Sequence, residues 1–255
     1  MDKHFLLPKL LVFFSLLCVV MTSQAESVPL QNLQKAYPDS IQKVTSNYIE
    51  WKDGTRMPIQ GSFALFNYVA SVFYHLDLSA PSLSKAAILH EQYEPLFRKM
   101  YGNSAAEVKR KLVTVYWMPN VFGYRYPLRV TTVNDVDKKI QRISAELEKL
   151  PPSYYRYLAN PAGSFYWRSV AGEGYLSSHS FGIAMDINSS YSNYWLWDYL
   201  KLKLPISELK YHKLTYQNHV PMEIVRIFEK EGFLWGGRWY FYDTMHFEYR
   251  PELFI

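Results

Sequence analysis

Two short segments of the chain bring together residue types that bind metal ions and activate water. Residues 177–188 contain His179 and Asp186, and residues 243–248 contain His246. Two imidazoles and one carboxylate are a sufficient ligand set for a catalytic zinc ion, whose fourth position stays open for water. These residue types therefore indicate a candidate metal centre.

The elements expected around these residues would bring them to one point. Gly182 permits a sharp bend after His179, and the residues that follow, up to Asp186, resume a strand-like pattern. His246 lies in a second strand-like segment and can supply the third ligand. On spacing alone an alternative stays open, in which both histidines are satisfied core residues and Asp186 caps a turn.

Asp243 is a further carboxylate of the candidate site. It lies three residues before His246 and need not bind the metal. A carboxylate beside a metal site can take a proton from water as a general base. No serine stands in a nucleophile-elbow sequence, so the residues point to hydrolysis by activated water.

Both segments resemble motifs of one enzyme family. The first matches the pattern S-x-H-x-x-G-x-A-x-D at Ser177, His179, Gly182, Ala184 and Asp186. This is the signature of the zinc D-alanyl-D-alanine carboxypeptidases of peptidase family M15, which also includes L-alanyl-D-glutamate endopeptidases. Residues 232–239 and 243–248 resemble the C-terminal block of the same family, especially its endolysin-like branch. The resemblance covers about residues 127–251.

The resemblance implies a role for each matching residue. His179, Asp186 and His246 would be the zinc ligands, and Asp243 the general base that later protonates the leaving amine. Ser177 would hydrogen-bond the substrate or orient a ligand. Many carboxypeptidase members have glutamate at the position of Asp243, whereas endolysin-like members often have aspartate, which slightly favours an endopeptidase.

Three further charged residues stand near the motifs. Arg168 lies where related enzymes place an arginine that faces the substrate, and it could bind a carboxylate or the oxyanion; a surface ion pair is the alternative. Glu248 would share a strand face with His246 and either orient that ligand or be a strand-end surface charge. Arg238 lies among glycines and tryptophans and is expected to be structural.

The hydrophobic pattern predicts helices and strands that are segregated along the chain. Helices are expected over residues 84–101, 134–150 and 221–230, with Asn134 as the N-cap of the second. Strands are expected over residues 112–117, 128–132, 239–242 and 245–249. Segregated elements are typical of an α+β fold. The resemblance implies the hedgehog/DD-peptidase-like type, with a small antiparallel sheet packed with helices.

The composition excludes several classes of protein. The 255 residues include 22 Tyr, 15 Phe and 7 Trp, which is too much apolar surface for a disordered chain. A single cysteine excludes a disulfide framework and a Cys-rich zinc module. The net charge of +5 is compatible with an anionic cell-wall target, although the basic residues are scattered and no nucleic-acid partner is expected.

The N-terminus is expected to be a targeting segment. Residues 1–25 combine a basic start, an apolar run and the small-residue exit Ser23-Gln24-Ala25, which predicts a secretory signal peptide. Residues 26–126 would form an N-terminal region packed on the catalytic part, residues 127–255. No membrane span is expected after cleavage, so the protein would be secreted or periplasmic.

These observations together predict a secreted zinc metallopeptidase that acts on the peptide stem of peptidoglycan. The bond would be D-Ala–D-Ala, as in the carboxypeptidases, or L-Ala–D-Glu, as in the endopeptidases. One alternative is a non-catalytic, zinc-stabilised cell-wall binding module. Another is a structural wall-associated protein without zinc. The oligomeric state stays open.

Overall fold

A computed structural model describes residues 30–59, 88–170, 175–201, 215–239 and 242–254. The predicted signal peptide, residues 1–25, lies outside the described residues. So do the first four residues of the helix predicted over residues 84–101, and the middle of the strand predicted over residues 239–242.

Two antiparallel sheets lie in the first half of the described chain. The first contains β1 (Ile41–Val44), β2 (Tyr48–Trp51) and β3 (Arg56–Pro58), in that order across the sheet. The second pairs β4 (Leu112–Tyr116) with β5 (Pro127–Thr131). The second sheet confirms two predicted strands, whereas the first was not predicted because its strands are very short.

The third antiparallel sheet contains both segments of the candidate site. Its central strand β8 (His246–Tyr249) pairs with β6 (Ala184–Asp186) on one side and β7 (Phe233–Trp235) on the other. In this register Asp186 lies directly opposite His246. The pairing confirms the two strand-like segments around the site and brings two predicted ligands side by side.

The helices of the described residues pack around these sheets. They are α1 (Leu30–Ala36), α2 (Ile88–Tyr101), α3 (Ala105–Lys109), α4 (Pro119–Phe122), α5 (Val136–Leu147), α6 (Tyr155–Leu158), α7 (Trp195–Lys201) and α8 (Met222–Lys230). Helix α5 buries residues spaced three and four apart, as an amphipathic helix does. It packs against β4, β5 and α8, and α8 in turn packs against β7. The α+β class is therefore confirmed, and no helix within the described ranges is long and apolar enough to cross a membrane.

The start of α5 corrects one prediction. Asn134 is not its N-cap; Asp135 holds that position, and both residues have left-handed backbones, with φ of 58° and 56°. The amide of Asn134 instead donates to the hydroxyl of Tyr101 at 3.1 Å, and its side-chain oxygen accepts from the hydroxyl of Ser40 at 3.1 Å. Two partners distant in the sequence, the buried Tyr101 and the partly buried Ser40, therefore replace a local cap.

The ends of the helices differ from prediction in smaller ways. Helix α5 stops at Leu147, three residues before the predicted end, and a turn leads to Pro151 and Pro152. Pro221 precedes α8 as its N-cap rather than lying in its first turn. Gly232, just after α8, has a left-handed backbone with φ of 83°, as glycine commonly does after a helix.

The hydrophobic core includes residues from both regions of the chain. Leu33 and Trp51 from the N-terminal region belong to the same buried cluster as Phe228 and Phe247. The rings of Phe228 and Phe247 stack with their centroids 3.8 Å apart, which fixes α8 against β8. The domain boundary near residue 126 stays a prediction.

Candidate active site

A tight turn positions the first candidate ligand. His179 lies in the 3-10 helix Ser178–Phe181, and the hydroxyl of Ser177 caps this turn by accepting from the backbone N–H of His179 at 3.4 Å. Gly182 ends the turn with φ of 67°. A Cβ at this position would lie 2.5 Å from Cδ2 of Leu112 and 3.2 Å from the backbone nitrogen of Thr131, so the left-handed backbone favours glycine and the close contacts add to that preference.

We expect the substitution Gly182→Ala to lower the free energy of unfolding by about 1–3 kcal/mol. Alanine would be strained in the left-handed backbone, and its Cβ would lie too close to Leu112. Urea denaturation of the metal-free protein would measure the loss. Gly54→Ala is the control, because Gly54 also has a positive φ, of 80°, and no atom lies within 4 Å of its Cβ position. Equal losses of unfolding free energy in the two variants would contradict a contribution from the close contact with Leu112.

The three candidate ligands meet at one point. The Nε2 atom of His179 lies 3.1 Å from the Nδ1 atom of His246. The Oδ1 atom of Asp186 lies 3.0 Å from that Nδ1 atom and 3.2 Å from the Nε2 atom of His179. Both imidazoles are buried, so the structure brings together in the core the three residues that the sequence predicted.

Three outer contacts determine which ring nitrogens face inward. The Nδ1 atom of His179 lies 2.5 Å from the backbone carbonyl of Ser164, which can only accept a hydrogen bond. The Nε2 atom of His246 lies 3.2 Å from a carboxylate oxygen of Glu248 and 3.3 Å from the hydroxyl of Ser178. Each imidazole therefore donates outward and directs its other nitrogen toward Asp186.

This donor set fits a zinc ion. Ligand atoms about 2.0 Å from a tetrahedral ion lie about 3.3 Å from one another. The three atoms here lie 3.0, 3.1 and 3.2 Å apart. Two imidazole lone pairs and one carboxylate oxygen converge, which is the ligand type and number of a catalytic zinc site.

The electrostatics of the group suit a cation. Burial would raise the pKa of Asp186, but the charge of His179 and hydrogen bonds to both histidines hold it well below its usual value. Burial would lower the pKa of His246, but hydrogen bonds to Asp186 and Glu248 raise it to about 10. The site thus holds a proton strongly, and a metal ion would take the place of that proton.

Asp243 lies beside the group without joining it. Its backbone carbonyl accepts from the N–H of His246 at 3.2 Å, and its carboxylate accepts from the N–H of Met245 at 3.3 Å. Burial and the negative charge of Asp186 raise the pKa of Asp243 to about 7. A carboxyl with a pKa near neutrality can take up and release a proton at physiological pH.

The remaining predicted site residues differ in their surroundings. Arg168 is exposed, and its Nη1 atom donates to the backbone carbonyl of Ser169 at 3.3 Å. Ser177 is buried and caps the turn of His179, which favours the orienting role over direct contact with a substrate. Glu248 is 1% exposed and is therefore not a surface charge. Arg238 pairs with Glu229, in keeping with its expected structural role.

Sequence reasoning missed three residues of the site. Ser164 and Ser178 contact the outer nitrogens of the two histidines, but neither has a spacing that would signal this. Tyr194 lies next to Asp243 across an isolated antiparallel bridge. Burial and the charge of Asp243 raise the pKa of Tyr194, whereas the charge of Arg168 lowers it. Tyr194 thus experiences the charges of both Asp243 and Arg168.

Residues 171–249 match the family model described as D-alanyl-D-alanine carboxypeptidase, within peptidase family M15. The match confirms the resemblance for this part of the chain, and it implies the hedgehog/DD-peptidase fold and metallopeptidase chemistry. The match includes His179, Asp186, Asp243 and His246. Searches of curated proteins and of solved structures returned no significant match.

Proposed function

We propose that the protein is a secreted zinc metallopeptidase that hydrolyses a peptide bond in the peptide stem of peptidoglycan. The observation that carries this proposal is the convergence of two imidazole nitrogens and one carboxylate oxygen within 3.2 Å of one another in a D-alanyl-D-alanine carboxypeptidase domain. The carboxyl of Asp243 beside this group would add a general base.

His179, Asp186 and His246 would hold the zinc ion. When bound there, zinc would acidify water and polarise the scissile carbonyl. An oxygen of the Asp243 carboxylate would take the proton from the attacking water and return it to the amine that leaves. Burial supports this role, because it raises the pKa of Asp243 toward neutrality and so lets one group act as base and then as acid.

Arg168 would bind the substrate. Its guanidinium is exposed, and its charge acts on Tyr194, which also experiences the charge of Asp243. The backbone of Arg168 is held by the hydroxyl of Ser180 and by the N–H of Ser177. A guanidinium at this position can form a bidentate interaction with a peptide carboxylate or stabilise the developing oxyanion. Ser177 would contribute by fixing the turn that carries His179.

The scissile bond is D-Ala–D-Ala or L-Ala–D-Glu. The family description favours the carboxypeptidase reaction. Aspartate rather than glutamate at position 243 favours the endopeptidase reaction of the endolysin-like members. The predicted signal peptide and the positive charge support a cell-wall substrate outside the cytoplasm.

Mass spectrometry of defined muropeptides tests the proposal. The zinc-loaded protein should remove one alanine from a pentapeptide stem or split the stem between L-Ala and D-Glu, and chelation of the metal should stop the change. Unaltered muropeptides in the presence of bound zinc would overturn the peptidase and favour a non-catalytic, zinc-stabilised cell-wall binding module.

A further inference from the structure

A chain of buried polar side chains connects the candidate metal centre with the N-terminal region. The Nε2 atom of His246 lies 3.2 Å from Oε2 of Glu248, and Oε1 of Glu248 accepts from Nη1 of Arg250 at 2.9 Å. The Nε atom of Arg250 donates to Oε1 of Glu252 at 2.6 Å. The hydroxyl of Tyr37 donates to Oε2 of Glu252 at 2.6 Å. We call these four residues, from Glu248 to Tyr37, the buried relay.

Each member of the buried relay is held by the next. The residues beyond His246 are between 0% and 3% exposed, so water does not compete for their hydrogen bonds. Glu248 uses one oxygen for His246 and the other for Arg250, and Glu252 likewise divides its oxygens between Arg250 and Tyr37. The carboxylate of Glu248, which contacts His246 together with the hydroxyl of Ser178, is therefore connected through this network to the other three residues.

Tyr37 is the anchor of the buried relay. It follows α1, in a region that the family model does not match. Burial and the charge of Glu252 raise its pKa well above the usual value, so the phenol keeps its proton and donates. Its ring packs edge-on against Tyr249 at 6.2 Å, and α1 packs against the 3-10 helix Pro251–Leu253 that carries Glu252.

Buried charges of this kind are poor stabilisers of a fold. Removing two carboxylates and a guanidinium from water is unfavourable, and apolar residues of similar volume often serve stability as well or better. A buried charged network is better explained by a role in fixing the orientation of a particular side chain. Here the geometry concerned is that of His246, whose Nδ1 atom faces Asp186 and His179.

We propose that Tyr37, Glu252 and Arg250 are positioning residues that hold Glu248 so that His246 presents Nδ1 to the metal ion. The N-terminal region would then complete the metal centre rather than only cover it. This inference rests on the zinc centre of the proposed function, and it adds residues from outside the matched family domain.

Zinc affinity of two variants tests the buried relay. Glu252→Gln and the milder Tyr37→Phe should each weaken zinc binding, about 10-fold for Glu252→Gln, because the partners of a ligand set metal affinity. Competition with a chromophoric chelator would measure this, at a temperature where the metal-free variants remain folded. The Nε2–H proton resonance of His246 in the zinc-loaded protein should shift in both variants.

Tyr101→Phe is the matched control. It also removes a buried phenol hydroxyl, but one that accepts from Asn134 and lies outside the buried relay. It should leave zinc affinity and the His246 resonance unchanged. Unchanged zinc affinity in Tyr37→Phe and Glu252→Gln, with only a loss of stability, would overturn the proposal. A wild-type chain that binds no zinc would overturn the proposed function as well, so the two failures are distinguishable.

Discussion

Asp243→Asn is expected to lower kcat by about 10²–10⁴-fold, the usual contribution of a general base. Asparagine keeps the size of the side chain and an oxygen that can accept from Met245, but it cannot take a proton from water. Zinc content and the unfolding temperature should therefore match those of the wild type. Steady-state hydrolysis of a muropeptide, with metal analysis of the same samples, measures both.

Retention of most of the activity in Asp243→Asn would contradict the role of Asp243 as the base. A fall in activity accompanied by loss of zinc would also contradict it, since Asp243 would then act on the metal site. Glu223→Gln is a suitable control, because Glu223 lies in the first turn of α8 and takes no part in the site. That variant should keep the wild-type rate.

His179→Ala is expected to remove zinc and, with it, both activity and part of the thermal stability. The substitution deletes one of three converging ligand atoms and leaves the carbonyl of Ser164 without its donor. A metal that binds only the folded state at 100 times its dissociation constant stabilises that state by about 2.7 kcal/mol. Added zinc should therefore raise the melting temperature of the wild type and not that of the variant.

His219→Ala provides the control for this prediction. His219 is exposed and lies outside the ligand group. Its substitution therefore shows the effect of removing an imidazole that does not bind the metal. The variant should keep its zinc and its response to added metal. Unchanged zinc content in His179→Ala would remove His179 from the ligand set.

The residues of the candidate site were largely predictable because short sequence segments around the ligands indicate their local structure. Gly182 allows the chain to turn between His179 and Asp186, and the alternating pattern around His246 indicates a strand. The pairing of Asp186 with His246 spans 60 residues, but it follows once the two strands are recognised as neighbours. The family signature then assigns these residues to one domain.

Other features depend on contacts that a local pattern does not contain. The hydrogen bond from Tyr37 to Glu252 joins residues 215 positions apart. Asn134 is not the N-cap of α5, because the side chain of Asn134 forms hydrogen bonds with Tyr101 and Ser40 instead. Strand β7 has only three residues, all of them buried, and glycines flank it on both sides. Its sequence therefore has no alternating pattern long enough to predict a strand. Long-range packing overrides local preference at each of these positions.

The most direct test of the zinc centre is a crystal of the zinc-loaded protein measured at the zinc absorption edge. We expect one anomalous peak, from a zinc ion bound by Nε2 of His179, Nδ1 of His246 and a carboxylate oxygen of Asp186, with Glu248 on the outer nitrogen of His246. No peak at this group, or a zinc ion bound through Nε2 of His246, would contradict it.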